Sequence, residues 1–383
     1  MSTIESTNAN SPVGRIADSR TRKTLDRLKP YSPGKPIWEV QQELGLDHVV
    51  KLASNENPLG PSPKAIAAIE AALPDLHRYP DAQAVSLRET LAQALELSPD
   101  QLIVTNGGDE LITLLSETFL DPGDEIVVPS PTFSEYEFGA HLMDAQLVAV
   151  PLAPGFQYEA DALLAAITER TKLVWLCSPN NPTGTYLAKN DLERLLRALP
   201  PQALVVYDAA YSHFATTADD YTNGLEFVRA GLPLVVLQTF SKAYGLAGIR
   251  VGFGAAPEAV IRRILQVKEP FNVNALAQVA ASAAIYDIEH LTASREVNAR
   301  GREQLYAAFE QLGLNYAESL SNFVLVELGE LAERRYHELM AKGVITRYGG
   351  AWGLERHIRV SVGTEEENKF FIDCLTQVLE ETS

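Results

Sequence analysis

Apolar residues fall in short continuous runs through the first two thirds of the chain. The runs are Leu102–Val104, Ile126–Val128, Leu147–Val150, Leu173–Cys177, Leu204–Tyr207, Leu234–Gln238 and Ile249–Phe253. Runs of this length, rich in Val, Leu and Ile and closed by turn residues, read as strands buried on both faces. Between several of them apolar residues recur at helical spacing, as over Asp109–Leu120 and Asp191–Leu199. Strands alternating with helices predict an α/β fold with a mostly parallel sheet covered by helices. After residue 280 the texture changes. Helical stretches are expected over Ala281–Asp287, Glu296–Leu312, Leu331–Lys342 and Glu365–Leu379, with strands at Phe323–Val326, Val344–Arg347 and Ile358–Val362. The last of these alternates as a half-buried antiparallel strand does, so a smaller α+β domain is expected to follow the large one.

Composition narrows the partners. The 383 residues carry a formal net charge of −18, which disfavours a nucleic-acid partner. The basic stretch from Arg15 to Lys29 is interrupted by Asp18 and Asp26, and residues 1–30 read as a solvated N-terminal arm with a flexible tip. No apolar run is long enough to span a membrane, and Met1–Asn10 lacks the apolar centre of a secretory signal. Two cysteines, Cys177 and Cys374, cannot build a disulfide framework, so the expected compartment is the cytoplasm.

In a parallel α/β sheet the ligand lies beyond the carboxyl ends of the strands. The residues there are unusual. Cys177 leads into Ser178-Pro179-Asn180-Asn181-Pro182-Thr183-Gly184, Tyr207 into Asp208-Ala209-Ala210-Tyr211, and Gln238 into Thr239-Phe240-Ser241-Lys242, followed by Gly245-Leu246-Ala247-Gly248 and Arg250. A lysine at a strand end can form a Schiff base once its ammonium loses a proton. A buried carboxylate can pair with a protonated pyridine nitrogen. Thr239, Ser241 and Arg250 suit a phosphate dianion, and Gly107-Gly108-Asp109 opens a helix whose N–H groups add to that site. Together they fit pyridoxal 5′-phosphate. No phosphate loop, dinucleotide fingerprint, CxxC or close histidine pair occurs, so no metal is expected.

The order and spacing of S-P-N-N-P-T-G, D-x-x-Y and S-K-x-x-x-L-A-G-x-R resemble the class I/II aminotransferases of fold-type I, over roughly residues 30–383. The resemblance implies that Lys242 forms the Schiff base with the cofactor and that Asp208 holds its ring nitrogen. It implies that Asn181 and Tyr211 hold the ring oxygen, and that Gly108, Asp109, Thr239, Ser241 and Arg250 hold the phosphate. Phe133 would stack on the ring. The large, cofactor-binding domain would span residues 50–280, and the small one residues 31–49 and 281–383. Ala209 departs from the D-E-A-Y usual in the family, which puts only outer support of the site in doubt.

Pro30-Tyr31-Ser32-Pro33-Gly34-Lys35-Pro36, the stretch from Leu52 to Pro61, Arg78-Tyr79-Pro80 and the segments around Arg347 and Arg359 are most similar to the histidinol-phosphate aminotransferase branch. That similarity implies a homodimer in which Tyr79 reaches the neighbouring cofactor phosphate. Tyr31 would lie near the substrate phosphate. Arg359 would take an α-carboxylate or share the donor phosphate, and Arg347 would take a phosphate or distal carboxylate. The implied reaction is a ping-pong transamination. Lys242 acts as general base, histidinol phosphate is the first-choice donor and 2-oxoglutarate the acceptor. The alternatives are an aromatic amino acid donor such as phenylalanine or tyrosine, or decarboxylation of a phosphorylated amino acid. Tyr348, Gly349, Gly350, Ala351 and Trp352 do not separate these donors.

Overall fold

The computed structural model describes residues 21–28, 34–215 and 217–382. Most of the N-terminal arm, including its tip, lies outside them. Within residues 21–28 a short helical turn, Lys23–Arg27, docks on the body of the chain, where Arg27 pairs with Asp144. No helix among the described residues is long and apolar enough to cross a membrane.

Thirteen strands are found among the described residues: β1 Val50–Lys51, β2 Leu102–Thr105, β3 Glu125–Ser130, β4 Gln146–Pro151, β5 Thr171–Cys177, β6 Leu204–Asp208, β7 Leu234–Thr239, β8 Gly252–Ala255, β9 Tyr316–Ala317, β10 Phe323–Glu327, β11 Val344–Ile345, β12 Arg347–Tyr348 and β13 His357–Ser361. Seven form one sheet in the order β2-β8-β7-β6-β5-β3-β4. Strands β3 to β7 pair in parallel, and β8 runs antiparallel to both of its neighbours. The α/β expectation is met. The strands are buried on both faces because each carries two apolar sets. In β5, Leu173, Trp175 and Cys177 face one core, and Val174 and Leu176 face the other.

Three local expectations need correction. The strand expected at Ile249–Phe253 begins at Gly252, because Ala247–Ile249 is a helical turn and Arg250 is left-handed at φ 59°. That turn lets the chain reverse without a crossover, which is why β8 is antiparallel. The break expected between Asp287 and Glu296 is absent: helix Ile288–Gln311 starts directly after Asp287 and follows helix Ala275–Ala284. Asp287 caps it by accepting from the His290 N–H, and Ser62 donates to the same carboxylate at 2.6 Å. Thr292, Ser294 and Val297 weaken the helical signal of that stretch in sequence. The run Val344–Arg347 is two strands. β11 pairs with β1 and β12 pairs with β13, so the chain changes sheets at Thr346.

The second sheet, β12-β13-β10-β9, is antiparallel and packs its own core beneath helix Glu365–Glu381. Helix Ile37–Leu44 is tied to this part, since Val40 shares a cluster with Met340 and Ile345.

Candidate active site

The two sheets meet at a cavity of about 300 Å³. Its wall contains Gly108, Asp109, Phe133, Asn181, Asp208, Tyr211, Thr239, Ser241, Lys242, Arg250, Arg347 and Arg359. The structure therefore brings together twelve of the fourteen residues singled out by sequence. Tyr79 is 83% exposed, away from this cavity, and stacks on Phe271 at 4.8 Å. Tyr31 lies outside the described residues.

Asp208 ends β6 and is buried. It accepts from the Tyr136 hydroxyl at 2.6 Å and from the Ala210 N–H at 3.0 Å. Burial raises its pKa to about 6, against which the Tyr136 hydrogen bond acts. Three residues past the end of β7, the Lys242 ammonium donates to the Ser54 carbonyl at 3.1 Å. The residue is half-buried by surface, yet its ammonium is enclosed by protein. That enclosure, with the Arg359 charge second, lowers its pKa to about 8. A lysine so placed is in part a neutral amine near neutral pH, as a nucleophile or base must be.

At one end of the cavity the segment after β7 folds on itself. Thr239 and Ser241 hydroxyls lie 2.9 Å apart, and Arg250 donates to Ser241 at 3.4 Å. Arg250 also meets the Asp109 carboxylate at 3.1 Å. Helix Gly107–Phe119 opens here, with Gly107 at φ 81°. A Cβ on Gly107 would stand 2.3 Å from the end of the Arg250 side chain, and the left-handed φ is what favours glycine here. Because the Asp109 carboxylate is taken by Arg250, its main-chain N–H is the group it can offer to an anion.

At the other end Arg347 and Arg359 lie directly opposite each other across β12 and β13. Buried Arg359 donates to the Asn181 side-chain oxygen and, at 2.6 Å, to the Ala53 carbonyl. Its guanidinium sits 5.1 Å from the Phe323 ring and 5.2 Å from the Trp352 ring. Tyr211 is buried and accepts from the Asn55 amide at 3.0 Å; burial pushes its phenol up.

Sequence reasoning missed the supports. Asn55 is left-handed at φ 55° and is locked by Ser361 and Asn322. It lies in the Leu52–Pro61 stretch, which served only as a marker of resemblance. Tyr136 and Trp352 had no local signal as site residues. Ala209, at the place where a carboxylate is usual, is fully buried in an apolar cluster.

Residues 47–375 match the family described as aminotransferase class I and II. The histidinol-phosphate aminotransferase of Moorella thermoacetica is 48% identical over 369 residues, covering 96% of this chain and 95% of that protein. The protein of the same name from Symbiobacterium thermophilum is 46% identical, covering 95% and 99%. Among solved structures, the histidinol-phosphate aminotransferase from Sinorhizobium meliloti in complex with pyridoxal-5′-phosphate superposes with a TM-score of 0.88 at 26% identity. It covers 95% of this chain and 99% of its own. Aspartate aminotransferase from Thermus thermophilus with maleate gives 0.82 at 25% identity, covering 94% and 99%.

Proposed function

The chain belongs to the class I and II aminotransferases, and from that premise we propose that it transfers the amino group of histidinol phosphate to a 2-oxo acid, 2-oxoglutarate in the first instance. The observation that carries the proposal is one cavity that joins Lys242 and Asp208 to two facing arginines, Arg347 and Arg359. The relatives' names point to the same donor.

The donor set fits pyridoxal 5′-phosphate. A buried carboxylate, an amine of lowered pKa and a hydroxyl–guanidinium cluster around a left-handed glycine lie along one cavity. When bound, the cofactor supplies a protonated ring that stabilises negative charge at the donor carbon. Asp208 would hold the ring nitrogen, with Tyr136 fixing the carboxylate. Tyr211 would hold the ring oxygen together with Asn181. The Asn181 oxygen already accepts from Arg359, so its amide N–H group is the part that faces the cofactor. Phe133 would cover the ring face. Thr239, Ser241, Arg250 and the N–H groups of Gly108 and Asp109 would hold the phosphate. Lys242 would take the proton from the donor's amine-bearing carbon and deliver it across the amine nitrogen, to the carbon on its far side. Arg359 and Arg347 bind the donor's anionic end, where planar guanidinium forks suit phosphate and carboxylate alike.

The assembly in this reading is a homodimer. Leu73, Leu76, Tyr79, Val85, Phe271 and Ile288 are all exposed, and the Tyr79–Phe271 stack joins the two stretches that carry them. Large exposed apolar groups concentrated in two joined stretches support an interface. Tyr79 would reach the phosphate end of the neighbouring site.

The test is a single-turnover half-reaction of the holoenzyme without acceptor, following the visible cofactor band. Fast bleaching by histidinol phosphate, with release of its ketone, is the expected result. Bleaching by phenylalanine with histidinol phosphate inert would replace the donor with an aromatic amino acid. Release of carbon dioxide from phosphothreonine would replace the reaction class.

A further inference from the structure

We infer that Trp352 is a specificity-determining residue whose indole forms the wall against which the ring of the amino donor packs. The inference deepens the proposed transamination and rests on it. Trp352 ends the turn Gly349–Trp352, which links the strands bearing Arg347 and Arg359. The glycines let the turn adopt a shape that side chains would obstruct. A Cβ on Gly349 would lie 2.4 Å from the Leu354 carbonyl, one on Gly350 would lie 2.5 Å from the Tyr348 ring, and Gly353 has φ 70°. From this turn Ala351 and Trp352 line the active-site cavity.

Both residues, with Phe133, also line a second cavity of about 140 Å³ beside the first. The half-buried indole therefore stands in the partition between the two spaces. It also lies 5.2 Å from the Arg359 guanidinium. A donor that places its anion on Arg359 brings its own ring to the aromatic surface lying against that same guanidinium. In the proposed reading Phe133 and Tyr211 are committed to the cofactor, and Phe323 is fully buried outside the cavity wall, which leaves Trp352 as the donor's aromatic partner among the described residues of that wall. Ring-on-ring packing and a cation held over a ring are the forces involved. An imidazole and a benzene ring both satisfy such a wall, while a donor without a ring gains nothing from it.

The chain contains three tryptophans. Trp175 is fully buried and Trp38 is 64% exposed, so indole emission can be assigned by substitution. The experiment titrates the holoenzymes of wild type, W352F and W352A with deaminated histidinol phosphate, which binds without reacting, and follows tryptophan fluorescence and the visible band. W38F serves as the signal control. The expected result is a fluorescence change in wild type and W38F that is absent in W352F. Dissociation constants should rise about tenfold in W352A and about twofold in W352F. The concentration of glutamate giving half-maximal half-reaction should move less than about threefold in W352A, since glutamate has no ring. Unchanged affinity in W352A overturns the assignment, as does an equal loss for glutamate, which marks a merely structural effect. If wild type binds the probe but reacts with no amine, the transamination reading fails while the wall can still be scored from binding alone.

Discussion

The large sheet presents Asp208 and Lys242 at the ends of strands buried on both faces, whereas the small sheet presents Arg347 from its edge strand and Arg359 from the strand beside it, next to a half-exposed turn. In the first region the reactive groups are set by parallel strands and by hydrogen bonds from within the same core. In the second, a cationic pair is set by an antiparallel register, and its surroundings include a turn that a few substitutions could reshape. Under the proposed function, the contrast places the chemistry in the first region and donor choice in the second. On that reading a family could exchange donors around β12 and β13 without disturbing the strand ends that carry Asp208 and Lys242.

The sharpest way to break that division is at Lys242. Lys242→Ala should lower the half-reaction rate by about 10⁴-fold or more, since it removes both the nucleophile and the general base. The cofactor should still bind, weakly, as seen by its absorbance after gel filtration. Near-wild-type turnover would remove Lys242 from the chemistry.

Asp208→Asn separates chemistry from stability. Loss of one charge of a buried pair should slow the half-reaction by about 10²–10³-fold. In the apoenzyme the same change should stabilise the fold. The folded pKa of Asp208 is raised from 3.8 to about 6, so its carboxyl favours the folded state below about pH 4. That contribution is lost as the pH rises through about 6, and at pH 7.5 a buried charge remains. The asparagine variant should therefore melt higher at pH 7.5 by about 1–3 kcal/mol of stability, and no higher at pH 4. A lower melting temperature at pH 7.5 would mean that the lost Ala210 or Tyr136 hydrogen bond outweighs the relief.

The small sheet should respond more mildly and by donor. Arg359→Lys replaces a fork with a point charge and should raise the half-saturating donor concentration about 10–30-fold. The single-turnover rate at saturation should fall far less. An equal fall in the saturated rate would show that Arg359 orients the reacting carbon, which would blur the division between the regions.

The two regions also differed in how far they could be read in advance. Asp208, Asn181 and Lys242 were legible because each follows an apolar run that ends at a strand terminus. Arg359 sits within a run that alternates visibly. Asn55, Ser361 and Tyr136 were not legible as site residues, because their roles exist only after folding. Asn55 meets Tyr211 across 156 positions and Ser361 across 306. The helix from Ile288 was legible only in its second half, because Thr292, Ser294 and Val297 weaken the local pattern and the bond that steadies its cap comes from distant Ser62. Local pattern reports burial and period; it does not report which buried polar groups will meet.

Tyr136 gives the finest test, because it belongs to the large-sheet region yet acts only through Asp208. It is fully buried, stacks on Trp175 at 4.6 Å and donates a 2.6 Å hydrogen bond to the carboxylate. Phenylalanine keeps the stack and removes the donor. A hydrogen bond to a charged group contributes about 1.5–3 kcal/mol, but only the part that differs between ground and transition state slows the reaction, so Tyr136→Phe should slow the half-reaction about 10-fold, short of Asp208→Asn. The sign of the pH effect is set by what the bond does now: it favours the ionised carboxylate. Without it the Asp208 pKa must rise, so the acid limb of the rate profile should move to higher pH. A slower rate with an unmoved acid limb would mean that Tyr136 only packs against the site. A moved limb with Trp175 fluorescence unchanged would show that the hydrogen bond itself tunes the carboxylate.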